Sequence, residues 1–167
     1  MHAPSARPAR PAVFLLGAAL LVSAVPGLVV AQDEGPHDKA IDARQSMFRL
    51  YSWNFGMLSD MAKEEAPYDA EAASTAAANL DMLANLAHNG FWPEGSDSET
   101  AGNATNRALS AIWEEYPDIV SKAEDLQAAT AELRTAAGGG LDSLQGAVGD
   151  VGGACKGCHD DYRAEKD

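Results

Sequence analysis

The sequence predicts an all-α protein, an antiparallel four-helix bundle, on three observations. Apolar residues recur at spacings of three and four through four separate stretches. Proline or glycine punctuates the junctions between them, and no strand signal of comparable strength is present. Four amphipathic helices of this length bury their stripes by closing around one core.

Ahead of the bundle, residues 1–31 have the order of a secretory signal. Arg7 and Arg10 precede an uncharged apolar run from Val13 to Val25, and Pro26-Gly27 leads to a small-residue cleavage site at Val29-Val30-Ala31. The run is shorter than the ~20 residues a membrane-spanning helix needs. The expected domains are a signal peptide, 1–31, and a helical domain, 32–167, exported to an oxidising compartment, a bacterial periplasm.

The first helix is expected from about His37 to Glu65. Ile41, Phe48, Tyr51, Phe55, Leu58 and Ala62 form its stripe, with Arg44 occupying one slot, and Met47, Leu50, Met57 and Met61 run beside it. Pro67 ends this helix and Asp69 is placed to cap the next. The second, from about Ala70 to His88, is alanine-rich, with Ala73, Ala76, Leu80, Leu83 and Ala87 on its seam. Small residues there allow a close approach of helices, within the chain or between copies of it.

Asn89-Gly90 closes the second helix, and residues 91–103 read as a long loop whose Phe91 and Trp92 fold back onto the core. A third helical region starts near Ala104, with Leu109, Ile112 and Trp113. Pro117 then opens the main third helix, which runs to the Gly138-Gly139-Gly140 break. The fourth helix aligns Leu141, Leu144, Val148, Val151, Cys155, Cys158 or His159, and Tyr162. Gly146, Gly149, Gly152 and Gly153 weaken it, so something beyond propensity must hold it helical.

Charge narrows the function. The chain has 12 basic and 25 acidic residues, net −13, and loss of Arg7 and Arg10 with the signal brings the mature chain to −15. Such a surface repels nucleic acid and anionic lipid, so neither nucleic acid nor, after cleavage, membrane is an expected partner. Two cysteines do not make a disulfide scaffold, and a chain of 167 residues buries a core without staples.

Those two cysteines carry the chemistry. Cys155-Lys156-Gly157-Cys158-His159 is a C-x-x-C-H run, the signature of covalent haem c attachment. Two thiols three residues apart on a helix reach the two vinyl groups of one porphyrin, and His159 offers a neutral imidazole to the iron. One haem c per chain is expected, with His159 as its metal ligand. The large apolar plate of the haem would hold the glycine-rich fourth helix. A dithiol oxidoreductase is the other reading of the pair, although a thioredoxin-like site needs a βαβ context that this sequence lacks. Half a zinc site would need a second CxxC, and His37 and His88 read as distant surface residues. No Ser/His/Asp set, phosphate loop or metal cage accompanies the motif, so an enzyme is not expected.

The run Cys-Lys-Gly-Cys-His-Asp-Asp-Tyr-Arg at 155–163, close to the C-terminus of an acidic, exported, all-helical chain, resembles the cytochrome c′ family. The likeness extends over residues 37–166 and takes in Arg44-Gln45, Ala66-Pro67-Tyr68-Asp69 and Gly149-Asp150-Val151-Gly152. It implies a haem within the bundle, commonly in a homodimer, with five-coordinate high-spin iron. It further implies thioethers to Cys155 and Cys158, His159 as proximal ligand, and an apolar residue of the first helix over the sixth position. That residue corresponds to Phe48, four after Arg44. Nitric oxide and carbon monoxide are the ligands implied, together with electron transfer to a redox partner, which for so acidic a surface should be basic.

In the related low-spin cytochromes c556 a methionine stands where Phe48 does here, and Met47 is its neighbour. A six-coordinate electron carrier is therefore the alternative on the same fold. Arg44, alone on an apolar stripe, wants a buried anion, and the resemblance sets it with Gln45 near the haem propionates; the alternative is a side chain that snorkels to water. Arg163 follows His159 by one helical turn. The resemblance sets it at the border of the proximal pocket, whereas a solvent-exposed arginine favoured by the helix dipole is the plainer reading.

Overall fold

The computed structural model describes residues 35–88, 90–101 and 106–165. The expected signal peptide lies outside them. Residues 33–167 form one compact unit, whose described residues form five helices: α1 (Asp38–Ala62), α2 (Ala70–Ala84), a single turn α3 (Ala111–Glu114), α4 (Tyr116–Ala136) and α5 (Leu141–Tyr162). α1 packs on α2 and α5, and α4 packs on the same two, which closes the four long helices into a bundle. Among the described residues no helix is long and apolar enough to cross a membrane.

The first helix ends with its apolar stripe at Ala62, three residues short of the expected Glu65. Beyond Lys63 the chain turns through Glu64 at φ +61°. The Glu64 N–H then returns to Met61 O at 3.1 Å and the Glu65 N–H to Asp60 O at 2.8 Å. These two bonds close a Schellman motif, which satisfies carbonyls the helix end would leave orphaned. Asp69 caps α2 as its sequence position predicts, accepting from the N–H groups of Glu71 and Ala72 at 2.9 Å. Pro117 lies in the first turn of α4. The third helical region is smaller than expected: Leu109 lies outside helix, and only Ala111–Glu114 form a turn before α4.

Leu58, Leu80, Leu133, Leu144 and Val151, one or more from each long helix, are fully buried and form the centre of the core. Ala73, Ala76 and Ala77 let α2 approach closely. Polar ties fix the register between helices. Asn79 of α2 donates to Asn54 of α1 at 2.9 Å, Gln127 of α4 donates to Ala84 O at 3.0 Å, and Gln145 of α5 donates to Ala62 O at 2.8 Å. The last two satisfy carbonyls at helix C-termini. Tyr68 joins the two loops at one end, donating to Ala137 O at 2.8 Å and accepting from Gly140 N–H at 3.0 Å. Gly140 takes φ +113°, which only glycine adopts freely.

Candidate haem site

Cys155, Cys158 and His159 lie on α5 at positions i, i+3 and i+4, so their side chains share one side of the helix. Both thiols are free and half-buried. Burial pushes the Cys155 thiol up despite the charge of Arg163. Burial and then Cys155 push Cys158 up, while Lys122 pulls the other way. Thiols held protonated in this way are weak redox nucleophiles. Burial, followed by the charges of Arg163 and Arg107, lowers the His159 imidazole below its usual range. At neutral pH it is uncharged, with a ring lone pair to give to a metal. The Arg163 guanidinium stands 3.5 Å from His159 Nε2.

Across from this helix, α1 presents two faces that differ by one residue. Phe48 lies two turns before Phe55, whose ring faces Gly152 of α5; a Cβ on that glycine would lie 3.6 Å from Phe55 Cζ. Met47 lies two turns before Asn54, which is bonded to α2. Met47 is buried at 5% exposure and Phe48 is 39% exposed. Tyr51 completes the α5-facing stripe: its ring centroid is 5.9 Å from that of Phe48. Burial, and then the charge of Cys155, raises its phenol well above the usual range. Trp92 folds back from the long loop to meet Phe48 edge-on at 6.2 Å.

Arg44 is 2% exposed, so it does not snorkel. Its guanidinium lies 4.6 Å over the Trp92 ring and grips the loop. One terminal nitrogen donates to Ser96 Oγ at 2.6 Å and Phe91 O at 3.3 Å, and the other to Ser96 O and to Asn106 Oδ1 at 3.2 Å. Burial lowers its pKa while nearby Asp97 raises it. Gln45 is half-buried. His37 and His88 are half-buried rather than surface residues. His88 stacks on Phe91 with centroids 6.1 Å apart, drawn in as the loop folds back.

A family model described as Cytochrome C′ matches residues 39–163. The chain belongs to the cytochrome c′ family. It is 42% identical over 145 residues to the cytochrome c-554 of Cereibacter sphaeroides, covering 87% of this chain and 94% of that one. It is 36% identical over 148 residues to the cytochrome c′ of the same organism, covering 89% and 96%. The solved cytochrome c′ from Rhodobacter spheriodes superposes with a TM-score of 0.75 at 36% identity, covering 78% of this chain and 98% of that chain. Like that protein, this chain is a helical bundle, and haem c is its covalent cofactor.

The residues present fit that group. The motif supplies two unpaired thiols and one neutral imidazole on one side of α5, and half-buried Tyr51 and Phe55 of α1 lie on the side turned to that helix. Sequence reasoning read the loop after α2 but missed the polar residues that fix it. Asp97 is buried and accepts from the N–H groups of Glu99 and Thr100 at 2.8 Å. Asn106 donates to Asp97 O at 3.2 Å and Arg107 Nε to Ala164 O at 2.7 Å. Only Asp97-Ser-Glu-Thr, an Asx-turn pattern, was there to be read.

Proposed function

We propose that this chain is a periplasmic haem protein, and not an enzyme, that binds nitric oxide and carbon monoxide at five-coordinate iron and passes electrons to a basic partner. In this reading Cys155 and Cys158 form the thioethers and His159 holds the iron. Phe48 covers the opposite side. When bound, the haem would supply the metal for gas binding and electron exchange. The protein supplies position, a dry apolar lid, and no hydrogen-bond donor from Phe48 to favour bound oxygen.

The observation that carries this reading is the division of α1. Phe48 shares the face of Phe55, turned to α5, whereas Met47 shares the face of Asn54, turned to α2. A solved structure of a mutant cytochrome c prime from Alcaligenes xylosoxidans, 34% identical to this chain with a TM-score of 0.65, is a nitric oxide complex, which supports the choice of gas. Raised thiol pKa values argue against the dithiol oxidoreductase.

A second reading, the six-coordinate electron carrier with a methionine ligand, is favoured by one finding. The cytochrome c-556 of Agrobacterium tumefaciens is 29% identical over 126 residues, 75% of this chain and 98% of that one. Absorption spectra of the ferric and ferrous holoprotein, with and without carbon monoxide, decide. High-spin bands and a carbon monoxide adduct support the first reading, and a low-spin spectrum indifferent to carbon monoxide supports the second.

A homodimer completes the reading. Leu50 and Trp53 of α1, Met82 of α2 and Leu86 just beyond it are exposed, Trp53 at 69%. Leu50 and Trp53 lie within a turn of Asn54, and Met82 and Leu86 one and two turns after Asn79, whose bond joins the two helices, so the four offer apolar surface beside it. A second copy of this chain fits such a face. A structural neighbour at 27% identity and TM-score 0.70 is a cytochrome c′ with ligand-controlled dimer dissociation. Trp53→Glu should give a monomer in sedimentation equilibrium while the haem spectrum stays unchanged.

A further inference from the structure

We propose that Gly146, Gly149 and Gly153, on the outer side of α5, keep that helix from forming until haem is attached, so that folding of the motif waits on its cofactor. The inference rests on thioethers to Cys155 and Cys158. At 3.6 residues per turn, Cys155, Cys158 and His159 share the side of α5 that carries Leu144, Val148 and Val151. Gly146, Gly149 and Gly153 fall on the other side and are exposed. A Cβ on any of them would have nothing within 4 Å. Haem held on the motif side does not fill that space, and the apolar surface offered to a second copy lies on α1 and α2. None of these glycines takes a positive φ, unlike Gly140 at φ +113°. Neither packing nor backbone geometry therefore requires glycine here. What each glycine does is weaken the helix, by about fivefold in its folding equilibrium relative to alanine and by about a hundredfold for all of them together.

Attachment gives that weakness a use. Each thiol adds across a vinyl group of the porphyrin: a C–S bond forms to one vinyl carbon, the thiol hydrogen goes to the other, and there is no net oxidation. Both thiols lie on the core side of α5, which packs on α1 and α4. The porphyrin must reach them before that side closes. In a chain whose α5 closed early, only the open fraction would react, and attachment would slow in proportion to its population. Glycines on the outer side lower the stability of the helix without altering the surface that the core and the cofactor use. A local rule of helix composition is thus broken where it serves maturation.

The test uses the full chain, exported by a bacterium that attaches haem c. Wild type is compared with Gly146→Ala/Gly149→Ala/Gly153→Ala and with Gly146→Asn/Gly149→Asn/Gly153→Asn, since asparagine adds bulk yet remains a poor helix former. Pulse labelling followed by intact-mass spectrometry gives the half-time of covalent attachment, and urea denaturation gives the stability of the purified holoproteins. The alanine variant should attach haem severalfold more slowly than wild type, although its holoprotein has the higher urea midpoint. The asparagine variant should stay closer to the wild-type rate. In the haem-free Cys155→Ala/Cys158→Ala chain, the same alanines should raise helicity by circular dichroism. An alanine variant that attaches haem as fast as wild type overturns the proposal. So does an asparagine variant slowed as much as the alanine one, which would make the bare surface a contact for another protein. Wild type from which acid-acetone extracts the haem overturns the thioether assignment itself, and the proposal with it.

Discussion

The ring of Phe55 stands over Gly152, so that a methyl group added to the glycine would meet Phe55 Cζ at 3.6 Å. This is ordinary van der Waals contact, one turn before Cys155. Gly152→Ala should therefore fit, and by helix propensity it should stabilise the holoprotein by about 0.8–1 kcal/mol. Gly152→Leu has no room and should cost about 1–3 kcal/mol while disturbing the haem spectrum. Urea denaturation of the two variants measures both. Equal stability for Ala and Leu would show that α1 and α5 are not held together here.

A second prediction lies at the end of α1. Glu64 is at φ +61°, the position in a Schellman motif where glycine is favoured. Left-handed backbone costs a residue with a Cβ about 1–2 kcal/mol. Glu64→Gly should recover about 1 kcal/mol, partly offset by the greater freedom of glycine in the unfolded chain. A raised melting temperature with an unchanged haem spectrum is the expected outcome. A lowered one would mean that the Glu64 side chain contributes more than its backbone loses.

These two sites mark what the sequence could and could not announce. Asp69 was legible as a cap because a side-chain oxygen ahead of an alanine run has one obvious use. The α1 stripe and the break at Gly138-Gly139-Gly140 were legible through periodicity and punctuation. The C-x-x-C-H run was legible because its spacing is dictated by the group it holds. The end of α1 was not, because a left-handed glutamate leaves no compositional mark. Nor was the grip of Arg44 on Ser96 and Asn106, residues 52 and 62 positions away. Pairing at that separation is set by how an aperiodic loop folds back.

The loop also predicts a pH dependence. Burial pushes Asp97 up, but hydrogen bonds from Thr100 and Glu99 outweigh it and hold the carboxyl below its ordinary value. A depressed carboxylate contributes stability above its unfolded pKa of about 3.9, and that contribution is lost as pH falls through the lower folded value. Wild type should thus lose stability relative to Asp97→Asn as pH drops below about 4. Urea midpoints measured from pH 7 to 3 should converge for the two proteins. Parallel curves would show that Asp97 titrates no differently in the fold.

Attachment yields a further prediction. Thioethers are covalent, so acid-acetone should leave haem on the exported polypeptide. Cys155→Ala/Cys158→Ala should release it, and α5 should lose helicity, because four of its glycines each weaken a helix by about 1 kcal/mol relative to alanine. Circular dichroism measures the loss. Full helicity in the haem-free variant would show that α5 needs no support from the cofactor.

The choice of function turns on Phe48. Its ring is held by Tyr51, at 5.9 Å between centroids, and by Trp92, at 6.2 Å edge-on. Each such contact is worth about 0.5–1.5 kcal/mol, so displacing the ring costs about 1–3 kcal/mol. A gas that enters only when the ring has swung aside meets a minor conformer, and its apparent affinity falls by the population of that conformer, about fivefold or more. Carbon monoxide should therefore bind the ferrous protein slowly and weakly. Phe48→Ala removes the ring and should speed binding by about the same factor. Phe48→Met instead sets a thioether on the α5-facing side of α1 and should move the spectrum toward low spin. Met47→Leu serves as the contrast: Met47 shares the face of Asn54, which bonds to α2, so its loss should leave the spin state unchanged. Stopped-flow carbon monoxide binding and ferric spectra of the three variants distinguish these outcomes. A wild-type protein that is low-spin, and becomes high-spin with Met47→Leu, would give the sixth position to Met47 and replace gas binding with electron carriage.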